Sequence, residues 1–184
     1  MKKSILTLTI LLLSFIIFAT DNSKKENKIL LEKRINAALK LLDNEEIEKS
    51  FEIIEQLEKT NKIKLSGKDN YSINLVKARY YQFKNNYDLA FQYLQKVQKK
   101  TAKYATNSEQ NLVNLRLVEL NFLLKKKQKY KVLDDFVNSI SATQDSLKAY
   151  SFYDVAFILF EQDSYDESIK YLDIAKKQIG NKYR

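Results

Sequence analysis

The chain has 184 residues, with 32 Lys and Arg against 23 Asp and Glu, a formal charge of +9, no Cys, no His, no Pro and two Gly. The missing Cys and His exclude a disulfide framework, the usual zinc and haem ligands, and any nucleophile–imidazole pair. The length fits one domain plus a short extension.

The N-terminus is read first. Lys2 and Lys3 precede an uncharged run from Ile5 to Ala19, and Asp21 opens a polar stretch that continues to Lys28. A basic start, a short apolar run and a small residue before polar sequence are the parts of a secretory signal. The run is 15 residues long, short of the roughly 20 that cross a bilayer comfortably. Ile17, two residues before Ala19, is a poor cleavage-site residue, so a retained membrane anchor is the second reading. A lipoprotein is excluded because its acceptor Cys is missing. The expected organisation is a signal peptide or uncleaved anchor over 1–20, a polar linker over 21–28, and a helical domain over 29–182. The expected location is outside the cytoplasm, periplasmic or secreted, with tethering if the segment stays.

From there the chain alternates helical patterns with polar breaks. The first pair of helices carries Ala38 and Leu41 before a break, then Ile47, Ser50, Ile54 and Leu57. Asp43 with Glu46 has the spacing of a capping box. A polar connection from Asn61 to Asn70 contains Gly67, and Asn70 can cap a helix beginning at Tyr71. The second pair, Tyr71 to Lys103, is the clearest. Ala78 and Tyr81 lie on one helix, Asn85, Asn86 and Tyr87 form the break, and Ala90, Leu94 and Val97 follow. Thr106 with Glu109 opens the third pair as a capping box. There Leu124, Tyr130, Val137 and Ile140 fall in place, while Asn121 and Leu133 stand where the other copies have small residues. Leu133 is therefore expected to push its two helices apart, unless the register of this copy is shifted by a residue or so. The fourth pair repeats the pattern with Ala156, Leu159, Tyr165, Ser168, Leu172 and Ala175, opens its second helix with a Ser164–Glu167 box, and ends at Gly180. No alternating segment is long enough to argue for a sheet.

This order of small and large residues resembles the tetratricopeptide repeat, a pair of antiparallel helices that stacks on copies of itself. Small residues allow two helices to approach closely, and large ones fill the space beside the contact. The break residues Ile47, Tyr87, Tyr130 and Tyr165 are 40, 43 and 35 residues apart, against a family unit of roughly 34. The family's Trp and closing Pro are absent, which marks a divergent member, similar to exported bacterial ones. The resemblance implies an all-α fold of about four stacked hairpins in a right-handed solenoid. It also implies a concave groove, lined by the first helix of each hairpin, that takes a protein or peptide.

Mapping the groove positions gives Arg79, Gln82, Phe83, Glu119, Phe122, Lys126, Tyr150, Tyr153, Asp154 and Phe157, with Asn36 on the first copy. The family's carboxylate clamp is not matched, because Ile35 and Leu39 flank Asn36. Tyr150, Tyr153 and Phe157 form an aromatic stripe on one helix face. The periodicity favours their packing on a helix of the third hairpin; exposed, they would be binding anchors.

Other chemistry is disfavoured. Ser66-Gly67-Lys68 resembles the end of a phosphate-binding loop, but Lys62 replaces its first Gly and Asp69 its final Ser or Thr. Asp134-Asp135 and Glu45-Glu46 are adjacent on helices, so their carboxylates diverge. The chain is expected to be non-catalytic, with no cofactor and no metal. Lys125, Lys126, Lys127, Lys129 and Lys131 form the densest charge cluster. It reads as a solvated turn, or as a contact for an anionic surface. Nucleic acid is disfavoured, because no base-reading motif is present. The leading expectation is a binding scaffold. The alternative is a sensory element related to the outer part of bacterial membrane-bound transcriptional regulators.

Overall fold

The computed structural model describes residues 26–60, 64–141 and 148–180, and among these every regular element is an α-helix. The first, α1, covers 26–43. It is followed by α2 (Ile47–Thr60), α3 (Gly67–Phe83), α4 (Tyr87–Tyr104), α5 (Asn107–Leu123), α6 (Lys129–Ser141), α7 (Lys148–Phe160) and α8 (Tyr165–Gly180). The segment expected to be a signal, 1–20, lies outside the described residues. The helix already runs at residue 26, inside the stretch expected to be a linker. No described helix is long and apolar enough to cross a membrane.

The chain divides into two compact units, Met1–Val76 and Lys77–Arg184. In the first, Leu31, Ile35 and Ala38 of α1 pack with Ile54 and Leu57 of α2 and with Ile73 and Val76 of α3. In the second, α5 touches α4, α6 and α7, and α7 packs along α8. Val118 and Phe122 of α5 join Leu133, Phe136 and Ile140 of α6, Phe152, Val155 and Leu159 of α7, and Ala175 of α8. Having neighbours on several sides explains why α5 buries seven residues, Val113 to Phe122, rather than a single stripe.

The four helix pairs close with the same turn. Glu45, Asn85, Lys125 and Asp163 all take the left-handed conformation, with φ of 62°, 57°, 49° and 58°. Each is followed by a residue whose backbone N–H reaches back five residues: Glu46 to Leu41, Asn86 to Tyr81, Lys126 to Asn121 and Ser164 to Leu159, at 2.8–3.0 Å. The left-handed residues themselves donate three residues back, to Leu42, Gln82, Phe122 and Phe160. These paired bonds satisfy carbonyls that the ending helix would otherwise leave open. No Gly stands at any of the four sites, although a non-Gly residue there costs about 1–2 kcal/mol. In two turns a tyrosine compensates locally. The Tyr87 hydroxyl donates to Asn85 Oδ1 at 2.8 Å, and that of Tyr165 to Asp163 Oδ1 at 2.7 Å. The second bond and the charge of Asp163 raise the pKa of the Tyr165 phenol.

The small positions act as expected. Ser50 Oγ donates to the Ala38 carbonyl at 2.7 Å, and Ser168 Oγ to the Ala156 carbonyl at 2.7 Å, each pair buried and twelve residues apart. Ala78 and Ala90, at the same offsets in the second pair, are also buried. A hydroxyl that reaches the facing backbone requires two helix axes in close approach, which is the purpose of a small residue there.

The third pair departs from the expected register. The left-handed residues are spaced 40, 40 and 38 apart, a more regular interval than the break residues give. Its equivalent of Leu41, Tyr81 and Leu159 is Asn121 rather than Leu124. Val118, completely buried, therefore takes the small position on α5. The slip has a local cause. Ile47, Tyr87 and Tyr165 start their helices two residues past the left-handed residue, whereas Lys129 starts α6 four past Lys125. Leu133 sits buried in the core beside Phe136, which takes the burial expected of Val137. Asn121 turns its Nδ2 onto the Leu117 carbonyl at 2.7 Å.

The caps are mixed. Thr106 and Glu109 form the expected box, the Glu109 carboxylate accepting from the Thr106 N–H at 2.6 Å. Asp43 does not cap α2, because it is still inside α1. Asn70 does not cap α3, which starts earlier at Gly67. Its box is Ser66 with Asp69: the Ser66 N–H donates to Asp69 Oδ2 at 2.8 Å, and the Asp69 N–H to Ser66 Oγ at 3.1 Å. Gly180 is the last residue of α8 rather than the one beyond it.

Two stability changes follow. Lys125→Gly is expected to raise the unfolding free energy by about 1 kcal/mol, while Lys125→Val lowers it by about as much. The urea midpoints of the two variants check this, and a destabilising Gly would refute the left-handed turn. Ala90→Leu overpacks the second pair and is expected to cost about 1–3 kcal/mol, read from the same titration.

Candidate binding face

The residues mapped to the groove divide into three groups. Arg79, Gln82 and Glu119 come together. Arg79 Nη1 donates to Gln82 Oε1 at 3.4 Å, and Gln82 Nε2 crosses from α3 to Glu119 Oε2 of α5 at 2.9 Å. The same oxygen accepts from Arg116 Nη1 at 2.8 Å. Arg116 was not among the mapped residues. The signal for it was the three-residue interval Arg79–Gln82, which recurs as Arg116–Glu119. Such an interval places both side chains on one helix face. The part-buried ion pair is shielded enough to hold its geometry, and the amide of Gln82 ties it to the neighbouring helix.

In the second group, Phe122 and Lys126 leave the face. Phe122 is completely buried and meets Tyr130 edge-to-face at 5.4 Å between centroids, so it is a core residue. Lys126 points to α4, with Nζ 3.9 Å from Asp88 Oδ1 and 5.3 Å from the centre of the Phe91 ring. Its position immediately after a left-handed residue aims it at the preceding hairpin. Phe83 is exposed at the end of α3, with the Lys84 ammonium 5.3 Å over its ring.

The third group is the aromatic stripe on α7. Tyr150, Tyr153 and Phe157 are 66%, 55% and 53% exposed. More than half of each side chain is thus open to water, and Tyr150 faces Leu112 and Leu115 of α5 across a cleft. The core side of α7 is already taken by Phe152, Val155, Ala156 and Leu159. That helix is apolar on both sides, so periodicity could not say which side is inward.

Two open clefts border the stripe. One, of about 340 Å³, lies between α5 and α7 and is lined by Asn111, Leu112, Leu115, Tyr150, Ser151 and Asp154. The other, of about 640 Å³, lies between α7 and α8 against Tyr150, Tyr153, Leu172, Lys176 and Ile179. Asp154 sits between the rings. Loss of solvent around it raises its carboxyl pKa; Arg116 opposes the shift and Glu119 adds to it.

The lysine cluster is partly occupied by rings. Lys129 Nζ lies 5.0 Å over Phe122 and 5.2 Å over Tyr130, and Lys125 is the left-handed turn residue. Among the described residues no group of three or more His, Cys, Asp or Glu side chains could hold a metal ion.

No protein-family profile matches the chain, and neither a curated protein nor a solved structure matches it.

A carboxylate whose folded pKa is raised destabilises the fold once ionised, so stability falls as pH rises through that pKa. Asp154→Asn is therefore expected to raise the urea midpoint at neutral pH. The advantage should disappear in acid, where Asp154 is protonated in both folded and unfolded chains. A variant less stable than wild type at neutral pH would show that Asp154 is held by a favourable interaction instead.

Proposed function

We propose that the chain is a non-catalytic binding module of tetratricopeptide-repeat type, acting outside the cytoplasm, whose first helices present a groove to a protein or peptide. The observation that carries this reading is the exposed aromatic face of α7, three large rings within two helical turns and bordered by two clefts. Soluble proteins seldom leave such rings together in water without a partner to cover them. Rigid aromatics are also the side chains that dominate binding energy, since little rotamer freedom is lost when they are covered. The four like turns and the two Ser-to-carbonyl crossings support the repeat assignment. The Gln82–Glu119 bond supports the alignment of successive first helices, α3 beside α5. Export rests on the basic start and apolar run at the N-terminus.

Affinity purification from the native organism tests the reading, with wild type beside the Tyr153→Ala/Phe157→Ala double variant. Both side chains are more than half exposed, so the variant is expected to keep its helical circular dichroism and urea midpoint. Its partner is expected to bind about thirtyfold more weakly, the loss of one anchor worth about 2 kcal/mol. A partner retained at full strength would remove α7 from the site.

A further inference from the structure

We infer that the α7 face recognises a Lys or Arg side chain carried on an apolar peptide segment, with Asp154 taking the cation and Tyr150, Tyr153 and Phe157 covering its stem and neighbours. This inference rests on the groove reading given above and specifies its ligand. The register comes first. Residues 150, 153, 154 and 157 are spaced so that all four lie on one face of a helix. The carboxylate is thus framed by rings on the turn before it and the turn after it.

The local charge balance comes second. Glu119 is already engaged, accepting from both Gln82 and Arg116 on one oxygen. Arg116 gives its Nη1 to Glu119, while its Nε is buried without a hydrogen-bond partner. Glu109, at the far end of the α5–α7 cleft, is held by the Thr106 cap. Lys148, at the start of α7, donates to the Ser141 carbonyl at 2.8 Å. Asp154 is exposed and forms no hydrogen bond or ion pair with another described residue, although the charges of Arg116 and Glu119 act on it with opposite sign. Lys176 borders the other cleft beside Tyr150 and Tyr153, on the α8 side.

The chemistry comes third. Aromatic faces attract cations, and the aliphatic stems of Lys and Arg cover apolar surface while the head stays polar. A carboxylate between rings therefore offers a cation both an ion pair and π faces. An acidic side chain in the same position would meet Asp154 directly.

Nuclear magnetic resonance titration of the whole chain tests this with three capped pentapeptides, alike except for a central lysine, norleucine or glutamate between leucines. The expected result is saturating shifts in the α7 amides. The lysine peptide should bind about tenfold tighter than norleucine, and glutamate should bind weakest. Asp154→Asn should abolish the lysine preference yet still bind the norleucine peptide, which separates loss of recognition from loss of fold. Equal affinity for lysine and norleucine in the wild type would overturn the inference while leaving the groove in place. Tighter binding of glutamate would overturn it in favour of Arg116 or Lys176 reading an acidic segment. If no peptide shifts α7 at millimolar concentration, the inference fails. If the native partner is also kept by the Tyr153→Ala/Phe157→Ala variant, the groove reading fails with it.

Discussion

The structure depends on the close crossing of two helices a short, set distance from a left-handed turn. Where Ser50 meets Ala38 and Ser168 meets Ala156, a hydroxyl reaches the facing backbone at 2.7 Å. Such a contact leaves no room for a larger side chain. The turn must then return the chain at one height and one angle, and the paired backbone bonds at Glu45, Asn85, Lys125 and Asp163 do this four times. Once the crossing and the turn are set, the side of each first helix that faces its partner is determined. The opposite side is left for neighbouring hairpins or for solvent.

That division explains the character of α7. Its inward positions, Phe152, Val155, Ala156 and Leu159, fill the core against α8 and α6. The residues between them are still apolar rings, which a solvated helix face would normally replace with Lys, Glu or Gln. On α5 and α3 the corresponding surface carries the Arg79–Gln82 and Arg116–Glu119 network instead. One end of the face is therefore polar and hydrogen-bonded within itself, with Arg116 Nε buried and unpaired. The other is aromatic, open to water, and holds a carboxylate that makes no hydrogen bond or ion pair with a described residue. Positioned polar groups beside rigid apolar surface are the usual division between orientation and affinity in a binding site.

Much of this was legible in the sequence, and what was not has identifiable reasons. The helices and the small positions Ala38, Ser50, Ala78, Ala90, Ala156 and Ser168 were readable, because close packing limits which residues fit. The turns were harder. Their left-handed residues include Glu45 and Lys125, which carry no turn signal, and the chain's two Gly lie at helix ends instead. The third pair slipped by three residues because its turn is longer and Tyr130 imitated a break residue. Gly67 looks like loop by composition, yet the Ser66–Asp69 box marks the start of α3. The same three-residue shift puts Phe122 and Lys126 at groove positions in the sequence but in the core and against α4 in the fold. Arg116 falls outside the mapped positions because the same slip hides that Arg116–Glu119 repeats the Arg79–Gln82 interval.

Hydrogen–deuterium exchange of the chain with and without its purified partner tests the central claim most directly, because it reports every helix at once. The account predicts added protection in α7 and in the part of α5 that faces it, from Asn107 to Glu119, with α4 and α6 unchanged. Protection confined to the Lys125–Lys131 turn and α6, with α7 exchanging as in the free chain, would contradict it.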